Sequence, residues 1–221
     1  MRLPDMARLL ALAAALALTL AAGGAFPAPP QSRDEALDAL EDLATERRAE
    51  GIVWLANHGG MDDADLLHAR LRDPSPFVRA FAERGLWLLW GRSGDEEIDR
   101  LMAKGTEEME GGRYDASAAT FGEVIRRRPD FAEGWNRRAT VYFMAGDYRR
   151  SLEDCDQVLR RNPRHFGALS GCAQNHLRLE DYERAIEGFE RALEVNPNLV
   201  GVEIFIEATR RKLRERRGRS T

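Results

Sequence analysis

The sequence predicts an all-α chain, a right-handed solenoid of stacked helical hairpins capped by a C-terminal helix. Three observations predict it. Pro129, Pro163 and Pro197 stand 34 residues apart, and so do Tyr114, Tyr148 and Tyr182. Within one period the large side chains keep helical spacing, as Trp135, Arg138, Ala139 and Tyr142 do at i, i+3, i+4 and i+7. Each stripe then stops at Gly146-Asp147 or at Asn162-Pro163, because proline disfavours helical geometry in the residue before it and has no amide to donate.

The chain has 221 residues, 43% hydrophobic and 32% charged, which excludes both a multi-span membrane protein and wholesale disorder. Lys+Arg 33 against Asp+Glu 37 leaves a net charge of −4, so no global basic field recruits nucleic acid. Two cysteines build neither a disulfide framework nor a zinc site.

Residues 1–25 read as a signal peptide. Arg2 and Arg8 precede an apolar run from Leu9 to Ala22, too short to span a bilayer, and Gly23-Gly24-Ala25 supplies small residues for cleavage. The expected location is periplasmic or secreted. The alternative is an uncleaved anchor in the inner membrane facing the periplasm, with weak membrane association through the N-terminus. Residues 26–32 form a proline-rich linker.

A helical N-terminal unit is expected over 33–97. Leu37, Leu40, Leu43, Ile52, Val53 and Leu55 carry its first apolar faces, broken at Gly51. Asp62 and Asp63 cap a further helix bearing Leu66, Leu67 and Leu71. Asp73-Pro74-Ser75-Pro76-Phe77-Val78-Arg79 then turns into Ala82, Leu86, Leu89 and Trp90. This turn resembles that of a HEAT repeat, in which the aspartate caps the second helix and the arginine reaches across the stack.

Three 34-residue units follow, 98–131, 132–165 and 166–199. Their aligned columns are Gly112/Gly146/Glu180 at the turn, Ser117/Ser151/Ala185, Phe121/Cys155/Phe189 and Val124/Val158/Ala192. The middle unit shows Trp135, Ala139, Tyr142, Ser151, Cys155 and Pro163; the last shows Leu169, Ala173, His176, Ala185, Phe189 and Pro197. These residues resemble the tetratricopeptide repeat, W-x2-L-G-x2-Y, then A-x3-F, then P. The first unit is weaker at its start, with Leu101, Gly105 and Glu108. A capping helix is expected over 200–217, with Val202, Phe205, Ile206, Thr209 and Leu213 on its apolar side, and 218–221 is a tail.

No phosphate-binding loop, dinucleotide fingerprint, zinc-protease motif or nucleophile elbow occurs, and the four histidines lack metal-ligand spacing. Neither a catalytic constellation nor a cofactor or metal site is therefore expected. Cys155 lies eight residues before Pro163 and Cys172 nine after it, which sets both at similar height on neighbouring helices. They either bridge two repeats or remain two small buried thiols. The seven basic residues from Arg210 to Arg219 suit a helix C-terminus.

The family resemblance implies that the first helix of each unit lines a concave groove. Its positions would be Met102, Thr106 and Met109, then Asn136, Thr140, Phe143 and Met144, then Ser170, Gln174, Leu177 and Arg178. Methionines and phenylalanine beside amides suit a protein or peptide segment as partner. Some family members clamp a C-terminal carboxylate with lysine, asparagine and arginine; the matching positions here are Met102, Thr106, Arg137, Gly167 and Gly171, so that clamp is absent. The expected function is a non-enzymatic scaffold or assembly factor. A membrane-associated subunit of an envelope complex, held by residues 1–25, is the alternative. The sequence sets no oligomeric state.

Overall fold

The computed structural model describes residues 28–219. The expected signal peptide and most of the linker lie outside them. Eleven α-helices and no strand occur among the described residues: α1 (Arg33–Leu40), α2 (Thr45–His58), α3 (Ala64–Arg70), α4 (Pro76–Gly91), α5 (Glu96–Glu110), α6 (Tyr114–Arg127), α7 (Ala132–Met144), α8 (Tyr148–Arg161), α9 (Phe166–Arg178), α10 (Tyr182–Val195) and α11 (Val202–Arg219).

Local signals set the boundaries. Asp95 accepts from the amides of Glu97 and Ile98 to start α5, and Asp147 and Asp181 cap α8 and α10 in the same way. Pro76 opens α4, where its missing amide costs nothing. The hairpin turns need a left-handed residue, supplied by Gly112 (φ 72°) and Gly146 (φ 80°). In the last hairpin Glu180 holds the same place at φ 60°, against the preference of any residue with a Cβ. Asn162 and Asn196 end α8 and α10, their side chains accepting from the amides of Arg164 and Asn198.

Small residues let the paired helices approach. The Ser117 hydroxyl donates to the Gly105 carbonyl at 2.7 Å, and the Ser151 hydroxyl to the Ala139 carbonyl at 2.8 Å. A Cβ on Gly105 would sit 2.8 Å from the Phe121 ring, so only glycine fits there. Phe121, Val124, Val158, Phe189 and Ala192 are fully buried between the pairs. α11 closes the row by laying Val202, Ile206 and Thr209 on Ala173, Ala185 and Phe189. Phe205, expected on the apolar side of the cap, is half exposed; it stacks on Phe189 at 5.6 Å but leaves one edge in solvent.

The N-terminal unit has its own core, Leu40, Ile52, Leu55, Leu67, Leu71, Val78, Leu86 and Leu89. Two ion pairs tie it together, Arg33 with both donors on Asp63 Oδ1 and Arg48 bidentate on Asp73, and both carboxylates are almost wholly buried. Asp63 also accepts from the Gly60 amide, and Asp73 from the Ser75 amide, so these aspartates brace turns as well as charge pairs.

This unit does not add one more layer to the row of hairpins. α4 crosses the loops between them instead. Arg79 donates to the Asn198 side chain at 2.7 Å, Asn198 donates to the Leu71 carbonyl at 2.8 Å, and Asn196 donates to Glu83 at 3.0 Å. Trp87 and Trp90 meet His165 and Phe166, and the Ser93 carbonyl just beyond α4 accepts from Arg128 at 3.1 Å. The contacts thus follow the order third, second, first loop along α4. A helix of 16 residues is about 24 Å long, enough to cross two inter-repeat spacings of helix-pair width.

Candidate functional site: a walled groove

Gly167, Ser170, Gln174, Leu177 and Arg178 recur along one stripe of α9, and Trp87 closes the lower end of that stripe. A Cβ on Gly167 would collide with the Trp87 indole. The glycine is therefore the condition for α4 to lie so close. Below the indole sits a buried polar cluster. Glu133 accepts from Arg137 at 2.7 Å and from Asn136 at 2.9 Å, and stands 3.3 Å from His165 Nε2. His165 Nδ1 accepts from the Ala168 amide, so Nε2 carries the proton and points at the carboxylate. Burial would raise Glu133, yet Arg137, His165 and Asn136 together hold it below the usual carboxylate range. The His165 ring also stacks on Trp90 at 4.2 Å.

The remaining predicted groove residues divide into engaged and free. Met102 is half-buried against Ile98, Val124 and Phe131. The hydroxyls of Thr106 and Thr140 donate to the carbonyls of Met102 and Asn136 four residues back, at 2.9 Å. Leu177 packs partly into the Ala173–Phe189 core. Phe143 brings α7 and α9 together, its ring lying 5.8 Å from the Arg178 guanidinium and 5.5 Å from Tyr148. Met109 is half-buried, and Met144 is 46% exposed. The side chains of Ser170 and Gln174, half-buried in the middle of the stripe, have no hydrogen-bond partner among the described residues. The site so defined has an apolar and amide floor, one exposed arginine over the Phe143 ring at its upper end and an aromatic wall at its lower end.

Trp87, Glu133 and His165 had not been singled out from the sequence. The available signal was Gly167 and Gly171 inside a helix, which marks a close approach or an uncovered surface. Gly171 faces open space.

Cys155 and Cys172 are free and buried. Cys155 Sγ lies 3.7 Å from the Ala168 carbonyl on α9, and the neighbouring thiol together with burial pushes Cys172 far above the usual thiol range. A second concavity, of about 830 Å³, lies away from the groove between α6 and the α7–α8 turn. Tyr114, Arg138, Tyr142, Tyr148 and Arg150 line it. Two of its three arginines are engaged: Arg138 forks onto Asp154 at 2.8 Å, and Arg150 pairs with Asp147 over the Tyr142 ring, while Arg149 is exposed. No group of three metal-ligating side chains gathers among the described residues. None of the described helices is long and apolar enough to cross a membrane.

The stacked hairpins and the groove along their first helices define a helical-repeat interaction fold. The chain carries tetratricopeptide repeats: models of that repeat match residues 102–165 and 142–200. A tetratricopeptide-repeat-containing protein of Rhizobium etli is 37% identical over 91 residues, 41% of this chain and 45% of that protein. The match thus spans less than half the length of this relative. Similar solved structures include the first repeat domain of Spaghetti (RPAP3) bound to an HSP90 peptide, at 22% identity and TM-score 0.52, covering 53% of this chain and 94% of that one. The Sgt2 domain of Aspergillus fumigatus is similar at 22% identity and TM-score 0.53, covering 56% and 83%. The Yersinia enterocolitica type III secretion chaperone SycD, in complex with a peptide of the translocator YopD, is similar at 14% identity and TM-score 0.51, covering 53% and 95%. All of these show the fold of the repeats.

Proposed function

We propose that the chain is an exported, non-enzymatic scaffold or assembly factor that binds a protein segment in the groove of α5, α7 and α9. The observation that carries this reading is the run of unengaged side chains along that face. The Ser170 and Gln174 side chains offer hydrogen bonds that nothing among the described residues takes up, beside the apolar Phe143 and Met144. An extended segment or a helix supplies both the backbone groups and the apolar anchors such a floor matches. Two of the similar folds, by their descriptions, hold peptides. Export rests on the apolar run and small residues of 1–25.

The partner differs in kind from a segment clamped by its C-terminal carboxylate. Two of the clamp positions are Gly167 and Gly171, and Trp87 stands where a side chain at 167 would have to go. Photo-crosslinking in the native cell from Asn136 and Phe143, with the exposed Glu153 on α8 as control, tests the reading. One or two discrete partners captured from the groove alone support it. Equal capture from groove and control, or none from either, overturns it.

A further inference from the structure

A solenoid cap should turn a polar face to water. α11 does not. Its inner side is buried on α10, and along one flank Arg210 pairs with Glu190, while Arg216 and Arg217 pair with Glu183. The opposite flank carries Glu203, Ile204, Glu207, Ala208, Arg211 and Arg214 around a shallow trough. Ile204 is 73% exposed there, and Val200, just before the helix, is 99% exposed. Of the flank's four charged groups, Glu207 alone has an ion-pair partner among the described residues, Arg210 of the same helix. Its acids occupy the first half of the helix and its bases the second.

That arrangement is complementary to itself when reversed. We infer that α11 pairs antiparallel with α11 of a second copy of this chain, about a two-fold axis passing near Ala208. Glu203 and Glu207 of each copy then face Arg211 and Arg214 of the other, and Ile204 rests on the aliphatic stem of the partner's arginine. A parallel pairing would set acid on acid and base on base, so the charges choose the direction as well as the partner. Beyond this flank Arg210 pairs with Glu190, and Arg216 and Arg217 share Glu183, so part of the helix's surplus of bases is neutralised within the chain. One helix pair buries an area at the low end of specific interfaces, so the dimer dissociates in the micromolar range.

Sedimentation equilibrium on protein purified from cells expressing the whole chain tests this across the micromolar range. The expected result is a concentration-dependent mass rising to two chains. Glu203→Arg alone and Arg214→Glu alone each weaken the dimer by about tenfold or more, since each creates a like-charge contact across the axis. Both side chains are exposed and unpaired within the chain, so circular dichroism stays unchanged. The two variants mixed, or the double variant Glu203→Arg/Arg214→Glu, regain the wild-type dissociation constant. A single-chain mass throughout overturns the inference. So does a dimer that ignores the single reversals, or a double variant that stays apart.

Discussion

Trp90→Ala asks whether the N-terminal unit and the repeats are one cooperative structure. Trp90 is 4% exposed and lies where the two parts meet, stacked on His165 at 4.2 Å and 4.9 Å from Phe166. An indole buries about 150–250 Å² of surface, worth roughly 4–6 kcal/mol at the usual coefficient for apolar area. Aromatic truncations in cores cost about 3–5 kcal/mol, so a loss near 4 kcal/mol is expected. For a chain of this size each kcal/mol lowers the melting temperature by about 2–4 °C, so the fall should be about 8–16 °C. Scanning calorimetry supplies the decisive feature, the number of transitions. If α4 is a strut across all three loops, Trp90→Ala shifts a single transition downward. If the repeats stand alone, a new low-temperature transition appears while the main one keeps its midpoint. That second outcome, or a loss below about 1 kcal/mol, would refute the account of α4 given above.

Two further perturbations test local claims. Burial, helped by the charge of Arg164, pushes His68 down to about 4 from an ordinary 6.5. Its pKa is lower folded than unfolded, so the unfolded chain binds the extra proton and stability is complete above pH 6.5. Stability falls as pH drops from 6.5 toward 4; urea unfolding at several pH values should show that slope, and His68→Leu should flatten it. An unchanged slope in the variant would remove His68 from the explanation. Glu180→Gly relieves the left-handed residue in the last hairpin turn and should stabilise by about 1 kcal/mol, read as a higher urea midpoint at unchanged slope.

The repeats were legible in the sequence because their constraints are local. Pro163 ends α8 through its own ring, and Gly146 makes its turn through its own φ. A 34-residue period then states the same solution three times, with helices that pack mainly on their neighbours in sequence. The columns Ser117/Ser151 and Phe121/Phe189 announced close approach and filling, and each does that in the structure. The groove positions were implied by the family resemblance; helical spacing adds only that Ser170 and Gln174 share one face of α9. What could not be read was the path of α4. Its contacts join Arg79 to Asn198 and Trp87 to Gly167, far apart in sequence and without periodicity. The chain therefore looked like one row of helix pairs from 33 to 217, when its first part lies across the loops of the rest.

That placement decides what the groove can accept. Without α4, the stripe on α9 would run open past Gly167, and Glu133 would be a solvated carboxylate at the lower edge of α7. With α4 in place, Trp87 covers the glycine, and Glu133 is sealed with Arg137 and His165 beneath the tryptophans. The lower end then presents an indole instead of charge, and the one arginine left to a ligand on that stripe is Arg178 at the far end. An acidic group would be drawn to that far end and an apolar one to the wall, so a segment has a preferred direction of entry. Its affinity should fall with salt by the small amount that one exposed arginine allows. A steep salt dependence would mean that another surface with several free bases, and not this stripe, holds the partner.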